Sequence, residues 1–175
     1  RQSAARVAVF DERAERLAAA FWPGALTLVL PLRADAGLAP AVTAGLDTVA
    51  VRCPAHPVMR ALLEACRLPL AAPSANRSGA VSPTSAAHVA ASLGGAVDCI
   101  VDGGACDQGI ESTIVAVRPG GGWQVLRPGP VTKARIVALL GPETEAVTPS
   151  GIEAPGQLAS HYAPGKPMRL NAVTA

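Results

Sequence analysis

The sequence predicts an α/β fold built on a mixed parallel and antiparallel sheet, and three observations carry that expectation. Over the first hundred or so residues, apolar stretches of strand length alternate with helix-length amphipathic stretches. Further on, two strand-like stretches are separated by Pro119-Gly120-Gly121-Gly122, a connection that turns the chain back antiparallel on itself. Half of the 175 residues are apolar but only 3% are aromatic, so Ala, Val and Leu must build the core, which suits thin, closely packed layers.

Each element has its own signal. Asp11 can cap a helix over Glu12 to Ala20 with Leu17 and Phe21 on one face, and Trp22-Pro23-Gly24 ends it. Leu26 to Leu30 reads as a strand. A looser stretch holding Gly37, Pro40 and Gly45 leads to a second strand, Thr48 to Arg52. Pro54 and Pro57 punctuate the entry to a helix from Val58 to Cys66, with Val58, Leu62 and Ala65 facing inward. Leu68 to Ala72 is expected as a short apolar strand and Pro73 to Val81 as a loop. Ser82-Pro83 then opens a helix running to about Leu93, with Ser82 as its N-cap, and Gly94-Gly95 closes it. Cys99-Ile100-Val101 is expected as another buried strand and Asp102 to Gly109 as a turn-rich loop. Thr113 to Val117 and Trp123 to Leu126 form the antiparallel pair, and Thr132 caps a last helix to Leu140. Beyond it the composition shifts to Pro, Gly, Ser and Glu. Residues 1–140 are therefore expected to form the domain, and residues 141–175 a linker and tail.

Bulk properties narrow the function. A formal charge of +2 is too small to argue for non-specific nucleic-acid binding. No apolar run approaches a membrane span; the longest candidate, Leu26 to Leu32, is strand-sized and contains Pro31. Cys53, Cys66, Cys99 and Cys106 make no C-x-x-C pair, and no histidine sits at finger spacing, which speaks against a zinc site. The cysteines are expected to be reduced and mostly buried, as in a cytoplasmic protein.

Five segments could carry chemistry. In Ala71-Ala72-Pro73-Ser74-Ala75-Asn76-Arg77-Ser78-Gly79, followed by Ser82-Pro83-Thr84, short polar side chains crowd a loop that leads to a helix N-terminus, where an anion is favoured. Taken alone, the segment reads equally well as a capped helix behind a polar turn. Arg52 ends an apolar strand, so its guanidinium should emerge at the sheet rim. There it could grip a carboxylate or phosphate, or pair with Asp47 or Glu64. Asp102-Gly103-Gly104 and Gly109-Ile110-Glu111-Ser112-Thr113 place glycine turns beside hydroxyls, without the spacing of a Walker loop. Arg127 closes a strand just before Pro128-Gly129-Pro130, and a rim salt bridge is the plain reading of it. His161-Tyr162-Ala163-Pro164 could fold back as a lid or anchor a tail. His56 and His88 fit capping or surface roles. With no nucleophile–base pair and no metal cluster, an enzyme built from these residues would act by positioning and charge stabilisation.

As a set, these stretches resemble the YrdC/YciO family, the L-threonylcarbamoyladenylate synthases. The resemblance is carried by Phe21-Trp22-Pro23-Gly24-Ala25-Leu26-Thr27-Leu28-Val29, Thr48-Val49-Ala50-Val51-Arg52, Ala71 to Gly79, Ser82-Pro83-Thr84, Asp102-Gly103-Gly104, Glu111-Ser112-Thr113 and Leu126-Arg127-Pro128-Gly129, in that order. It implies a YrdC-like twisted mixed sheet with surrounding helices and a concave ligand site. It also implies a reaction in which ATP, bicarbonate and L-threonine give threonylcarbamoyl-AMP and pyrophosphate, with Mg²⁺ on the triphosphate. A partner transferase then modifies tRNA, which the domain itself could contact. By the same resemblance Thr48, Ser74, Asn76, Ser82, Arg127 and Tyr162 fall where the family meets ATP. Arg52, the backbone at Ala72, and Ser112 fall where it holds threonine. The family's opening Pro-Thr-x-Thr-x-Tyr-Gly-Leu stretch and Lys-x-Arg element have no counterpart here. That implies an N-terminally incomplete domain of the long, two-domain type, without the second domain. Two other readings stand beside this one: an RNA-binding module of the same fold, and a carbamoyl-transfer domain of the hydrogenase-maturation kind. The scarcity of stacking aromatics weakens the first. The His161 to Pro164 segment and the lack of paired cysteines weigh against the second.

Overall fold

A computed structural model describes residues 2–144. The described residues form two compact units, 2–72 with 107–144, and 73–106.

In the first unit, a four-residue helix α1 (Gln2–Ala5) precedes α2 (Glu12–Phe21). Asp11 is its N-cap, its side chain accepting from Ala14 N at 2.9 Å. The stripe Ala14, Leu17 and Ala18 is fully buried, because i, i+3 and i+4 share one helix face. Strand β1 (Leu26–Pro31) follows, then the short α3 (Pro40–Thr43), β2 (Thr48–Arg52) and α4 (Pro57–Cys66). After the second unit come β3 (Thr113–Val117), β4 (Trp123–Arg127) and α6 (Lys133–Leu140), the last capped by Thr132.

The four strands make one sheet in the order β2-β1-β3-β4. β1 runs parallel to β3 and antiparallel to β2, and β3 and β4 form the expected antiparallel pair. Alternation then sorts the side chains. Leu26, Leu28, Leu30, Val49, Val51, Val115 and Val117 join Leu17, Trp22, Trp123 and Ile136 in the main core. Each fully buried Leu or Ile there contributes about 2 kcal/mol. The opposite face of the sheet carries only a small cluster of Val29, Ile114 and Ala116 with Leu126 against it. On that face β2 shows Ala50 and Arg52 to solvent, which explains its alternating burial. Mixed pairing and flanking helices thus agree with the α/β class read from the sequence.

Thr113 fastens the chain at the start of β3. Its buried hydroxyl donates to Val131 O at 2.8 Å and accepts from Val131 N at 3.0 Å. That ties the Pro128–Val131 segment across the end of the sheet and leaves both backbone groups satisfied.

In the second unit, α5 spans Ala86–Leu93 and runs into a 3-10 turn over Gly94–Ala96. Its N-cap is Ser85, whose hydroxyl accepts from His88 N at 3.4 Å. The expected start at Ser82-Pro83 is therefore corrected by three residues. A serine before a proline imitates a cap and first turn, but the serine that meets the orphan amide is Ser85. Replacing Ser85 with Ala should lower stability by about 1 kcal/mol, read as a lower urea midpoint with unchanged slope. An unchanged midpoint would remove Ser85 from that role.

Three other expectations are corrected. Leu68 to Ala72 and Cys99 to Val101 are not strands. Leu68 is 65% exposed and Val101 is 61% exposed. A short apolar run becomes a strand only where a partner edge receives it. Helix α4 does not bury Val58, Leu62 or Ala65; they are exposed, and Met59 and Leu63 are the more shielded positions. The four cysteines are free, as expected, but only Cys53 is part-buried, and the other three are exposed.

Candidate functional site

The polar residues of interest in the first unit gather at one end of the sheet because of its topology. β1 and β3 are parallel and begin at this end, and β2 and β4 finish there. Read across the sheet, the row is Arg52 at the end of β2, Thr27 near the start of β1, Ser112 just before β3, and Arg127 at the end of β4. Thr27 stands opposite Arg52 in the β1–β2 register and beside Ile114 in the β1–β3 register. Ile114 is itself the register partner of Arg127. Side chains two apart share a face, so Ser112 joins Ile114 and Thr27. A bulge between Ile114 and Val115 lies beside Arg127, a device that re-aims side chains at a strand end.

Contacts knit the row together. Thr27 Oγ1 and Ser112 Oγ lie 2.8 Å apart. Arg127 donates from Nη2 to Ser112 Oγ at 3.2 Å and from Nε to Ser112 O at 3.1 Å, and its Nη1 pairs with Glu111. The rim salt bridge expected for Arg127 is thus present, with Ser112 added to it. Arg52 donates from Nε to Gly24 O at 2.9 Å. No carboxylate among the described residues pairs with it: Glu64 lies 3.8 Å from Arg60 instead. The alternative of a bridge from Arg52 to Asp47 or Glu64 is therefore not what forms.

The surroundings of Arg52 leave its charge able to take up an anion. The residue keeps solvent access, yet crowding around its guanidinium, and secondarily the charge of Arg127, push its pKa below the usual value. An arginine stays protonated regardless, so this crowding and the neighbouring like charge both disfavour its charge without removing it. A carboxylate or phosphate arriving between two guanidiniums relieves that, and a bidentate fork suits its geometry.

Glycines shape the same end. A Cβ on Gly129 would fall 2.5 Å from Thr113 N, 2.6 Å from Glu111 O and 2.8 Å from the Ser112 carbonyl carbon. Only glycine lets the Pro128-Gly129-Pro130 backbone lie against the Ser112 segment. A Cβ on Gly24 would meet Phe21 O at 2.3 Å, and the carbonyl of Gly24 is the one that orients Arg52.

Thr48 stands at the opposite end of β2 from Arg52 and on the same face, half-buried, in register with Pro31. Four residues of strand put the two about 13 Å apart. Ala72 is exposed and ends the first of the two segments that make the first unit.

Ser74, Asn76 and Ser82 belong to the second unit. Ser74 is exposed and Ser82 half-buried. The Asn76 amide donates from Nδ2 to Arg77 O at 2.8 Å and to Ala80 O at 3.0 Å, bracing its loop. Two carbonyls fix which end is nitrogen, so Oδ1 is an acceptor, and it is buried without a partner. Such an atom asks for a donor. A hydroxyl or amino group can supply one and a phosphate oxygen cannot. Further along, Gly104 N donates to Asp102 Oδ1 at 2.8 Å, and Gly104 has φ +90°. That is the geometry of a loop needing positive φ, and it accounts for the glycine there. Tyr162 lies outside the described residues. Two shallow depressions, one beside Phe10 and Glu15 and one beside Gln124 and Glu143, include no residue of the row. No group of three or more potential metal ligands occurs among the described residues, and no helix there is long and apolar enough to cross a membrane.

A sequence profile for Sua5/yciO/yrdC, described as telomere recombination, matches residues 1–129. The chain belongs to the Sua5/YciO/YrdC family. Curated members of this Sua5/YciO/YrdC family include a Bacillus subtilis protein named threonylcarbamoyl-AMP synthase, 47% identical over 166 residues. The match covers 91% of this chain and 46% of that one. A Pyrococcus abyssi protein of the same name is 45% identical over 161 residues, covering 87% of this chain and 46% of that one. Among solved structures, P. abyssi Sua5 complexed with L-threonine superposes with a TM-score of 0.84 at 41% identity, covering 93% of this chain and 49% of the other. Escherichia coli YciO, at 23% identity and a TM-score of 0.66 over 77% of this chain and 64% of that one, shares the fold. The chain spans about half the length of the curated relatives it matches.

Sequence reasoning singled out Arg52, Ser112 and Arg127, and the structure brings them together. It missed Thr27 and Gly129 as parts of the same arrangement. A threonine in the otherwise apolar Leu26-Thr27-Leu28-Val29-Leu30 run was the available signal for the first. The flanking prolines of Gly129 were the signal for the second.

Proposed function

We propose that this chain is the synthase domain of a threonylcarbamoyl-AMP synthase, forming threonylcarbamoyl-AMP and pyrophosphate from ATP, bicarbonate and L-threonine. The observation that carries the reading is the row Arg52–Thr27–Ser112–Arg127, with two mutually repelling guanidiniums and a single carboxylate, Glu111, among them. An α-carboxylate is the anion that fits it. The names of the relatives and the L-threonine complex of P. abyssi Sua5 support the same substrate.

In this reading Arg52 and Ser112, with the backbone at Ala72, hold the threonine carboxylate. The amine then takes up bicarbonate with loss of water to give a carbamate. A carbamate oxygen bonds to the α-phosphorus of ATP while the bond to the departing pyrophosphate breaks. Thr48, Ser74, Asn76, Ser82, Arg127 and Tyr162 are assigned to the nucleotide. The acceptor Asn76 Oδ1 suits the adenine amino group or a ribose hydroxyl rather than a phosphate. The distance of about 13 Å from Thr48 to Arg52 suits an extended aminoacyl nucleotide. Fixed dipoles and charges then do the work by positioning, with no covalent enzyme intermediate. The described residues offer no carboxylate cage for Mg²⁺, which fits an ion that arrives on the triphosphate. The adenylate is a reactive mixed anhydride, so a transferase acting on tRNA is the partner that consumes it, and the cytoplasm is the compartment assigned.

Pyrophosphate release tests the proposal. Release is expected only when ATP, L-threonine and bicarbonate are all present. Absent ATP binding, together with tight, salt-sensitive RNA binding, would overturn it in favour of an RNA-binding module.

A further inference from the structure

We infer that Thr27 is a positioning residue that sets the direction of the Ser112 hydroxyl proton, and so the threonine affinity of the site. The inference rests on the synthase reading above and deepens it.

Donors and lone pairs decide which way the proton points. A serine hydroxyl has one proton to give and two lone pairs to receive with. Arg127 can only donate, so its Nη2 at 3.2 Å occupies one lone pair of Ser112 Oγ. Thr27 Oγ1, at 2.8 Å, is the second neighbour, and either oxygen could be the donor. If Ser112 donates to Thr27, its only proton is spent inside the protein. If Thr27 donates, both lone pairs of Ser112 are filled and its proton must point elsewhere. A carboxylate held by Arg52 resolves the choice. Arg52 is the cross-strand neighbour of Thr27 on the same face, so an anion gripped by Arg52 arrives beside this pair, and in the synthase reading, which assigns Ser112 to the threonine, it accepts the Ser112 proton. Thr27 then donates inward, and the chain Thr27–Ser112–carboxylate runs in one direction, each link polarising the next.

Burial sharpens the requirement. Ser112 is only 6% exposed, so water has little access to replace a missing donor. The strand backbone on which Thr27 stands and the close seating of Gly129 hold Ser112 in place. A hydroxyl at position 27 is therefore the adjustable part, and the methyl group of Thr27 is incidental to it.

The test uses the full chain and four variants: Thr27→Val, Thr27→Ser, Ser112→Ala and the double variant Thr27→Val/Ser112→Ala. Thr27→Val keeps shape and removes the hydroxyl. It is expected to raise the KM for L-threonine in pyrophosphate release about tenfold, the loss of roughly one charge-assisted hydrogen bond. The KM for ATP should stay within about twofold. Thr27→Ser should return the threonine KM to near the wild-type value. In the Ser112→Ala background, Thr27→Val should add nothing further, because Thr27 acts through Ser112. Three results would overturn the inference: an unchanged threonine KM in Thr27→Val, a Thr27→Ser variant as impaired as the valine variant, or full additivity with Ser112→Ala. The parent reading fails differently. A wild-type chain that neither binds L-threonine nor releases pyrophosphate sinks both, whereas an active wild type with an indifferent Thr27→Val sinks only the inference.

Discussion

Replacing Arg52 with methionine should weaken L-threonine binding about a hundredfold while leaving the fold in place. The size follows from what is lost. A guanidinium gripping a carboxylate contributes about 3 kcal/mol at the upper end of charge-assisted hydrogen bonds, and that converts to two powers of ten. The harmless effect on stability follows from the surroundings. Among the described residues Arg52 makes one hydrogen bond, to Gly24 O, and it sits crowded near a like charge, Arg127. Losing the bond and losing the repulsion offset one another, so stability should change by less than about 1 kcal/mol. Arg52→Lys keeps the charge without the planar fork and should fall between wild type and methionine. Calorimetric titration with L-threonine, beside a denaturant melt, reads both quantities. Wild-type affinity in the methionine variant would remove Arg52 from the site. A large loss of stability would return it to a structural role.

The second large effect is expected at Gly129. A methyl group there has nowhere to go, since the three atoms nearest to it, at 2.5–2.8 Å, are all backbone. Gly129→Ala should therefore push the Pro128–Pro130 segment off the Glu111–Thr113 segment and destabilise the protein by about 3 kcal/mol. The double hydrogen bond between Thr113 Oγ1 and Val131 lies two residues from the push and should weaken with it. Because Ser112 moves, the threonine affinity should fall along with stability, and lowering the temperature should not fully restore it. A variant as stable as wild type would show that this close approach is not a constraint. Both predictions concern the same few residues, but they separate chemistry from scaffolding: Arg52 removes the grip and leaves the frame, while Gly129 disturbs the frame.

How much of this was legible in the sequence depended on whether the signal was local. Asp11 and Thr132 announce their helices because a cap is read within four residues. Strands β1 and β2 were legible as β-branched and leucine-rich runs bounded by turn residues. Arg52 and Arg127 were placed at a rim for the same reason, as the first charges after apolar strands. The segments 68–72 and 99–101 were misread because their apolar composition is local, but strand pairing is not. Ser82 was misread because Ser-Pro has the composition of a helix start, while the amide that needed an acceptor was at His88. The contact between Thr27 and Ser112 joins residues 85 positions apart, and no local pattern encodes it. The family resemblance implies that Ser112 meets threonine. The topology accounts for the company Ser112 keeps: two parallel strands start, and two antiparallel to them finish, at one end of one sheet.

A crystal structure of this chain with L-threonine tests the arrangement at that end of the sheet most directly. The amino-acid carboxylate is expected about 3 Å from both the Arg52 guanidinium and Ser112 Oγ, with Thr27 Oγ1 still in hydrogen-bond contact with Ser112 Oγ. Threonine bound elsewhere, or its carboxylate turned away from Arg52 in an otherwise occupied site, would contradict it.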